Sequence, residues 1–94
     1  MKAPVEIRND TAARALTLHW PAGHTQRVAH GRLREACPCA FCRRIRHDGG
    51  VLRAAPGLTL TGIEPMAYGV QLAFSDGHAR GIYPWSYLEK LGHD

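Results

Sequence analysis

The sequence predicts a small α+β domain, mostly β, made of antiparallel hairpins with a short helix before a cysteine loop and a second helix at the C-terminal end. Three observations predict it. Two stretches alternate apolar and polar residues and then reach a Gly-His turn. A helical stretch leads into three clustered cysteines. Near the end of the chain, apolar residues recur at every third position.

The first alternating stretch is Leu16-Thr17-Leu18-His19-Trp20-Pro21-Ala22-Gly23-His24, and the second is Val70-Gln71-Leu72-Ala73-Phe74-Ser75-Asp76-Gly77-His78. Period-two alternation marks a strand with one buried face. Asp76-Gly77 is a strong two-residue hairpin signal, because both residues tolerate positive φ. Pro21-Ala22-Gly23 suits a turn of another type. Two hairpins are therefore expected, over 15–29 and 69–83. Gly31–Ala36 (GRLREA) reads as one or two helical turns, stopped by Pro38. Asp48-Gly49-Gly50 reads as a flexible loop, and 58–63 as a further strand. Trp85, Leu88 and Leu91 share one face of a helix expected over 84–91. Pro84 suits its start and Gly92 its stop.

At 94 residues the chain has room for one domain, 1–94. A domain of this size buries only about 60–65% of the surface its unfolded chain exposes. Small cores of this kind often gain stability from a metal. A hydrophobic content of 45% excludes a disordered chain. The apolar runs are too short to span a membrane, and the first residues, Met1–Glu6, lack a signal-peptide layout. A cytoplasmic location is expected. In a reducing compartment, three cysteines within six residues suit metal ligation better than disulfides. Their odd number points the same way.

Cys37-Pro38-Cys39-Ala40-Phe41-Cys42 is a C-x-C-x-x-C motif. Pro38 stiffens the loop, and Phe41 is expected to anchor it to the core. Structural zinc takes four cysteine or histidine ligands in a tetrahedron, so a fourth must come from elsewhere. Six histidines compete. His78 leads because a tight turn would hold it. His24 has the same setting, and His47 lies close in sequence. His19, His30 and His93 carry no special geometry. Inert core thiols and a redox-active pair are the alternatives to a metal site.

The segments Leu33–Cys42 (LREACPCAFC), Tyr68–Leu72 (YGVQL) and Ser75–Trp85 (SDGHARGIYPW) together resemble the gamma-butyrobetaine hydroxylase-like N-terminal family, formerly DUF971. The resemblance covers nearly the whole chain. It implies a zinc site of three cysteines and one histidine, at the positions of Cys37, Cys39, Cys42 and His78. In the hydroxylase this domain precedes a separate oxygenase domain. The family also occurs as an accessory domain of certain iron–sulfur carrier ATPases and as free-standing short bacterial proteins. At Pro21-Ala22 the sequence departs from the common pattern, in which an acidic residue often precedes the glycine.

No H-x-D pair with a distant histidine is present for an oxygenase iron, and no phosphate-binding loop or serine nucleophile motif. The expectation is a non-enzymatic metal-binding accessory or interaction domain, with Zn2+ the expected ion. An iron–sulfur carrier or assembly protein, holding iron or a cluster, is the first alternative. The net charge of +4 gathers at Arg32, Arg34, Arg43, Arg44, Arg46 and His47. Such a patch can bind phosphate backbones or an acidic protein partner, or form a solvated rim around the cysteine loop. A nucleic-acid-binding module is the second alternative, and it is disfavoured because no run of aromatics alternates with the arginines. A thiol redox enzyme with free, low-pKa cysteines is the third.

Overall fold

A computed structural model describes residues 3–92; His93 lies outside them. The described residues form six strands and three short helices. Strands β1 (Glu6–Asp10), β2 (Ala15–His19) and β3 (Thr25–Ala29) make one antiparallel sheet, in that order. Helices α1 (His30–Glu35) and α2 (Ala40–His47) follow. Strands β4 (Leu60–Met66), β5 (Gly69–Phe74) and β6 (Gly81–Pro84) make the second antiparallel sheet, and α3 (Trp85–Lys90) closes the described chain. The α+β, mostly-β class expected from the sequence is the class observed.

The alternating residues do what their period requires. Leu16 and Leu18 of β2 face the core, as do Val70, Leu72 and Phe74 of β5. They join Val28, Leu33, Tyr83, Trp85 and Leu88 in one apolar cluster that both sheets share. Cys37 and Cys42 lie in the same cluster, so the cysteine segment is seated on the core.

Four expectations need correction. The stretch 6–10, which alternation does not mark, is a strand: it is polar, with Ile7 its sole aliphatic residue, and forms an edge strand paired to β2. The segment after Cys39 is a helix rather than a loop. Cys39 occupies its N-cap position and Gly49, at φ +88°, follows its end. The strand expected at 58–63 is shifted to 60–66 and has a bulge between Leu60 and Gly62. It tolerates Pro65 because β4 is an edge strand.

The fourth correction concerns the turns. Phe74 N–H donates to His78 O (2.9 Å) and Gly77 N–H to Phe74 O (3.0 Å). Trp20 N–H donates to His24 O (3.0 Å) and Gly23 N–H to Trp20 O (2.9 Å). Both hairpins thus turn through the same three-residue loop, with the final glycine at φ +85° or +96°. Such loops place their last residue in the left-handed region, where glycine is unstrained.

Polar side chains join the two sheets. His30 is completely buried. Its Nδ1 accepts the Leu60 N–H (3.0 Å) and its Nε2–H donates to Asn9 Oδ1 (2.7 Å). Asn9 Nδ2 in turn donates to Leu60 O (3.1 Å). Both backbone polar groups of Leu60, on the outer edge of β4, are satisfied by side chains attached to the other sheet.

Candidate metal centre

The segment after α1 reverses at Cys37-Pro38-Cys39 and enters α2, which carries Cys42 one turn after Cys39. Cys42 N–H donates to Cys39 Sγ (3.4 Å), a sulfur version of a helix cap. The turn after β5 brings His78 to the same point. Its Nε2 lies 3.2 Å from Cys37 Sγ and 3.6 Å from the sulfurs of both Cys39 and Cys42. All four donor atoms fall within 4.8 Å of one another. Zinc bonds of the usual length, opened to a tetrahedral angle, set sulfur and nitrogen about 3.6 Å apart, so this donor set fits a single tetrahedral ion. Cys37 and Cys42 are buried, while Cys39 and His78 are half-buried on the outer side.

Burial pushes the Cys37 thiol up to about 12; the Cys39 N–H works against this rise, while the sulfurs of Cys39 and Cys42 add to it. Burial also works to raise Cys39, but N–H and thiol donors from Cys42, Cys37 and Phe41 outweigh it and leave this thiol below its ordinary value. Burial lowers His78, helped by the Arg34 charge, which favours the neutral imidazole that ligates metals. A cation would offset the cost of crowding thiolates here, and its binding would displace the Cys37 proton.

Residues 7–89 match the model of the family described as gamma-butyrobetaine hydroxylase-like, N-terminal. The chain belongs to that family. It is similar to a solved structure from Acidithiobacillus ferrooxidans, a DUF971 family protein of unknown function, at 35% identity and a TM-score of 0.80. The match covers 94% of this chain and 90% of that one. Two NMR solution structures are also similar, at TM-scores of 0.73 and 0.76 with 28% and 23% identity. Each match covers 98% of this chain, with 73% and 70% of the other. At 23% identity the likeness is one of fold alone. No curated protein matches the sequence.

In this gamma-butyrobetaine hydroxylase-like domain the other described histidines have different tasks. His24 stacks on Trp20 and pairs with Glu89 (3.1 Å). His47 pairs with its neighbour Asp48 (3.4 Å) on the surface, and His19 pairs with Glu6 (3.3 Å). His30, which showed no special geometry in the sequence, is the buried link between the sheets.

Three supporting residues were missed. Arg34 Nε–H donates to Asp76 Oδ2 (2.9 Å) and its Nη1–H to Cys42 Sγ (3.6 Å). Asp76 Oδ1 accepts the His78 N–H (3.0 Å). One arginine and one carboxylate therefore tie the turn bearing His78 to the helix bearing Cys42. Gly81 is the third. A Cβ there would lie 2.7 Å from Cys37 Sγ and 3.2 Å from Pro38 Cδ, so only glycine lets β6 pass beneath the thiols. The Arg-Glu-Ala-Cys and Asp-Gly-His strings carry Arg34 and Asp76, but their joint role shows only once the two segments are brought together.

The basic patch divides in the structure. Arg32 donates to Leu91 O at the end of α3 (2.8 Å), and Arg46 donates to Cys37 O (2.7 Å) and Glu35 O (3.1 Å). Together with Arg34, these arginines satisfy carbonyls and the site itself. Arg43, Arg44 and His47 remain on the exposed face of α2. Phe41 is 63% exposed and does not anchor the segment to the core, contrary to expectation. Cys37 and Cys42 fill that place instead.

Proposed function

We propose that this chain is a non-enzymatic accessory domain in which Cys37, Cys39, Cys42 and His78 hold one zinc ion. The observation that supports this reading is the convergence of four donor atoms from two distant segments within 4.8 Å. Three thiolates and one imidazole fill a zinc tetrahedron and leave no position for an activated water. The ion would supply cross-linking rather than chemistry, joining the start of α2 to the β5–β6 turn. An iron–sulfur cluster spreads its protein ligands over several metal atoms. Donors drawn this tightly together favour a single ion over a cluster.

Elemental analysis of protein purified without chelator tests the proposal. The expected result is about one zinc per chain and a colourless solution. Stoichiometric iron with visible absorbance would replace zinc with the iron or iron–sulfur reading. Metal near zero, with all three thiols freely reactive, would overturn the metal site.

A further inference from the structure

The open face of α2 carries features that the metal site does not use. Phe41 lies between the ligand candidates Cys39 and Cys42 and is 63% exposed. A lone exposed apolar residue carries no meaning by itself; here Phe41 stands among charges of one sign. Arg43, Arg44 and His47 are exposed on the same helix, and Arg80 is exposed next to His78. Ala40, Arg43, Arg44 and His47 recur at helical spacing and line one broad depression of about 620 Å³ together with Arg46. A second hollow of about 250 Å³ is lined by Phe41, His78 and Arg80. Asp48, at the far end of the helix, pairs with Arg44 (3.4 Å), and Asp76, though exposed, is engaged by Arg34 (2.9 Å). Phe41 thus shares one hollow with Arg80, and the exposed side of α2 beside it carries an excess of positive charge in Arg43, Arg44 and His47.

We infer that this face docks an acidic segment of a partner protein, with an aliphatic or aromatic side chain of that segment packed on Phe41. Charge complementarity identifies the occupant. Arginines at the rim attract carboxylates and speed encounter, while a desolvated aromatic contact sets residence time. Single-stranded nucleic acid fits less well, because such surfaces stack successive bases on several aromatics and this face has one. The inference rests in part on the metal reading, since a bound ion between Cys39 and Cys42 would fix the direction of Phe41.

The test uses the full chain with its native metal, immobilised and exposed to a display library of random linear peptides. A selected peptide is then measured in solution by fluorescence anisotropy, and its footprint is read from amide chemical shifts. The expected peptides are rich in Asp and Glu around an apolar residue, and they perturb residues 40–47, 78 and 80. Phe41→Ala should weaken binding about tenfold or more with little change in salt dependence. The double variant Arg43→Gln, Arg44→Gln should slow association and flatten the salt dependence. Both variants alter exposed side chains, so their metal content should equal that of the wild type.

Peptides without acidic residues, a footprint elsewhere, or affinity unchanged by Phe41→Ala would overturn the inference. Tighter binding of oligo-uridine than of any selected peptide, lost with Phe41→Ala, would also overturn it and assign the face to nucleic acid. Metal is measured on the same samples. Protein that contains no metal yet binds acidic peptides through Phe41 would support the docking face while refuting the metal reading.

Discussion

The turns at Trp20–His24 and Phe74–His78 have the same backbone and opposite fates. Each pairs an aromatic residue with a histidine across a three-residue loop closed by a glycine at positive φ. The first histidine packs on its own aromatic partner and pairs with Glu89 on α3. The second faces three thiols. The difference begins with the residue before the glycine. Ala22 has no polar side chain, whereas Asp76 holds the His78 N–H with one oxygen and Arg34 with the other. Arg34 reaches on to Cys42, so the carboxylate links turn to cysteine helix. A shared turn presents a histidine; the groups around it decide its use.

The largest expected contrast is in metal affinity. Replacing a residue that supports a ligand typically costs about 10–100-fold, and losing a ligand should exceed that. His78→Ala should lower zinc affinity beyond this range in a competition assay with a chromogenic chelator. His24→Ala should leave it almost unchanged. Equal losses in the two variants would show that the turns share a site or that the assignment to His78 is wrong.

A smaller effect should come from the links. Arg34→Gln and Asp76→Ala are each expected to lower zinc affinity about 10–100-fold, and the double variant should cost less than the sum if they act as one strap. Ala22→Asp should confer no second site, because the first turn faces α3 instead of thiols. Gly81→Ala should also weaken metal binding, since its Cβ would press on Cys37 Sγ. Affinities at wild-type level in all of these would reduce the strap to a surface ion pair.

Metal removal should separate the turns dynamically. Small metal sites couple binding to folding, but the paired strands here have an apolar core of their own. Chelator should increase amide exchange most over 37–50 and at 75–78. Protection at 20–24 and in β2, β3 and β5 should persist. Uniform loss of protection across both turns would mean that the ion holds the whole fold.

The smallest expected effect, a change in the pH slope of stability, involves a third histidine, His30, used by neither turn. Burial lowers its pKa from the ordinary value of 6.5, against weaker raising effects from the Ala15 backbone and Asp10. The unfolded chain therefore takes up this proton first as pH falls. The His30 contribution to stability is complete above about pH 6.5 and declines below it until the folded protein is also protonated. Thermal melts of chelated protein in a His78→Ala background isolate this effect from metal release. His30→Leu should flatten the pH slope there. It should also cost about 1–3 kcal/mol, because the Leu60 N–H loses its buried partner. A pH profile unchanged by that substitution would remove His30 from the linkage.

Local patterning made both sheets' central hairpins, α1 and α3 legible, because alternation and helical spacing are written in adjacent residues. The family motif named the four cysteine and histidine positions whose donor atoms the fold brings within 4.8 Å, whereas spacing alone left His78, His24 and His47 in competition. Edge strand β1 was not legible, since a strand with one covered side and a solvated edge needs little apolar content. Helix α2 was masked by its cysteines, whose spacing suits a loop or a helix turn equally well. Tertiary structure alone decided that His24 turns away to Trp20 and Glu89, that Asp76 and Arg34 tie the His78 turn to the cysteine helix, and that Phe41 faces outward. Each of these depends on segments tens of residues apart being brought within bonding distance, and local patterning acts only between neighbours in the chain.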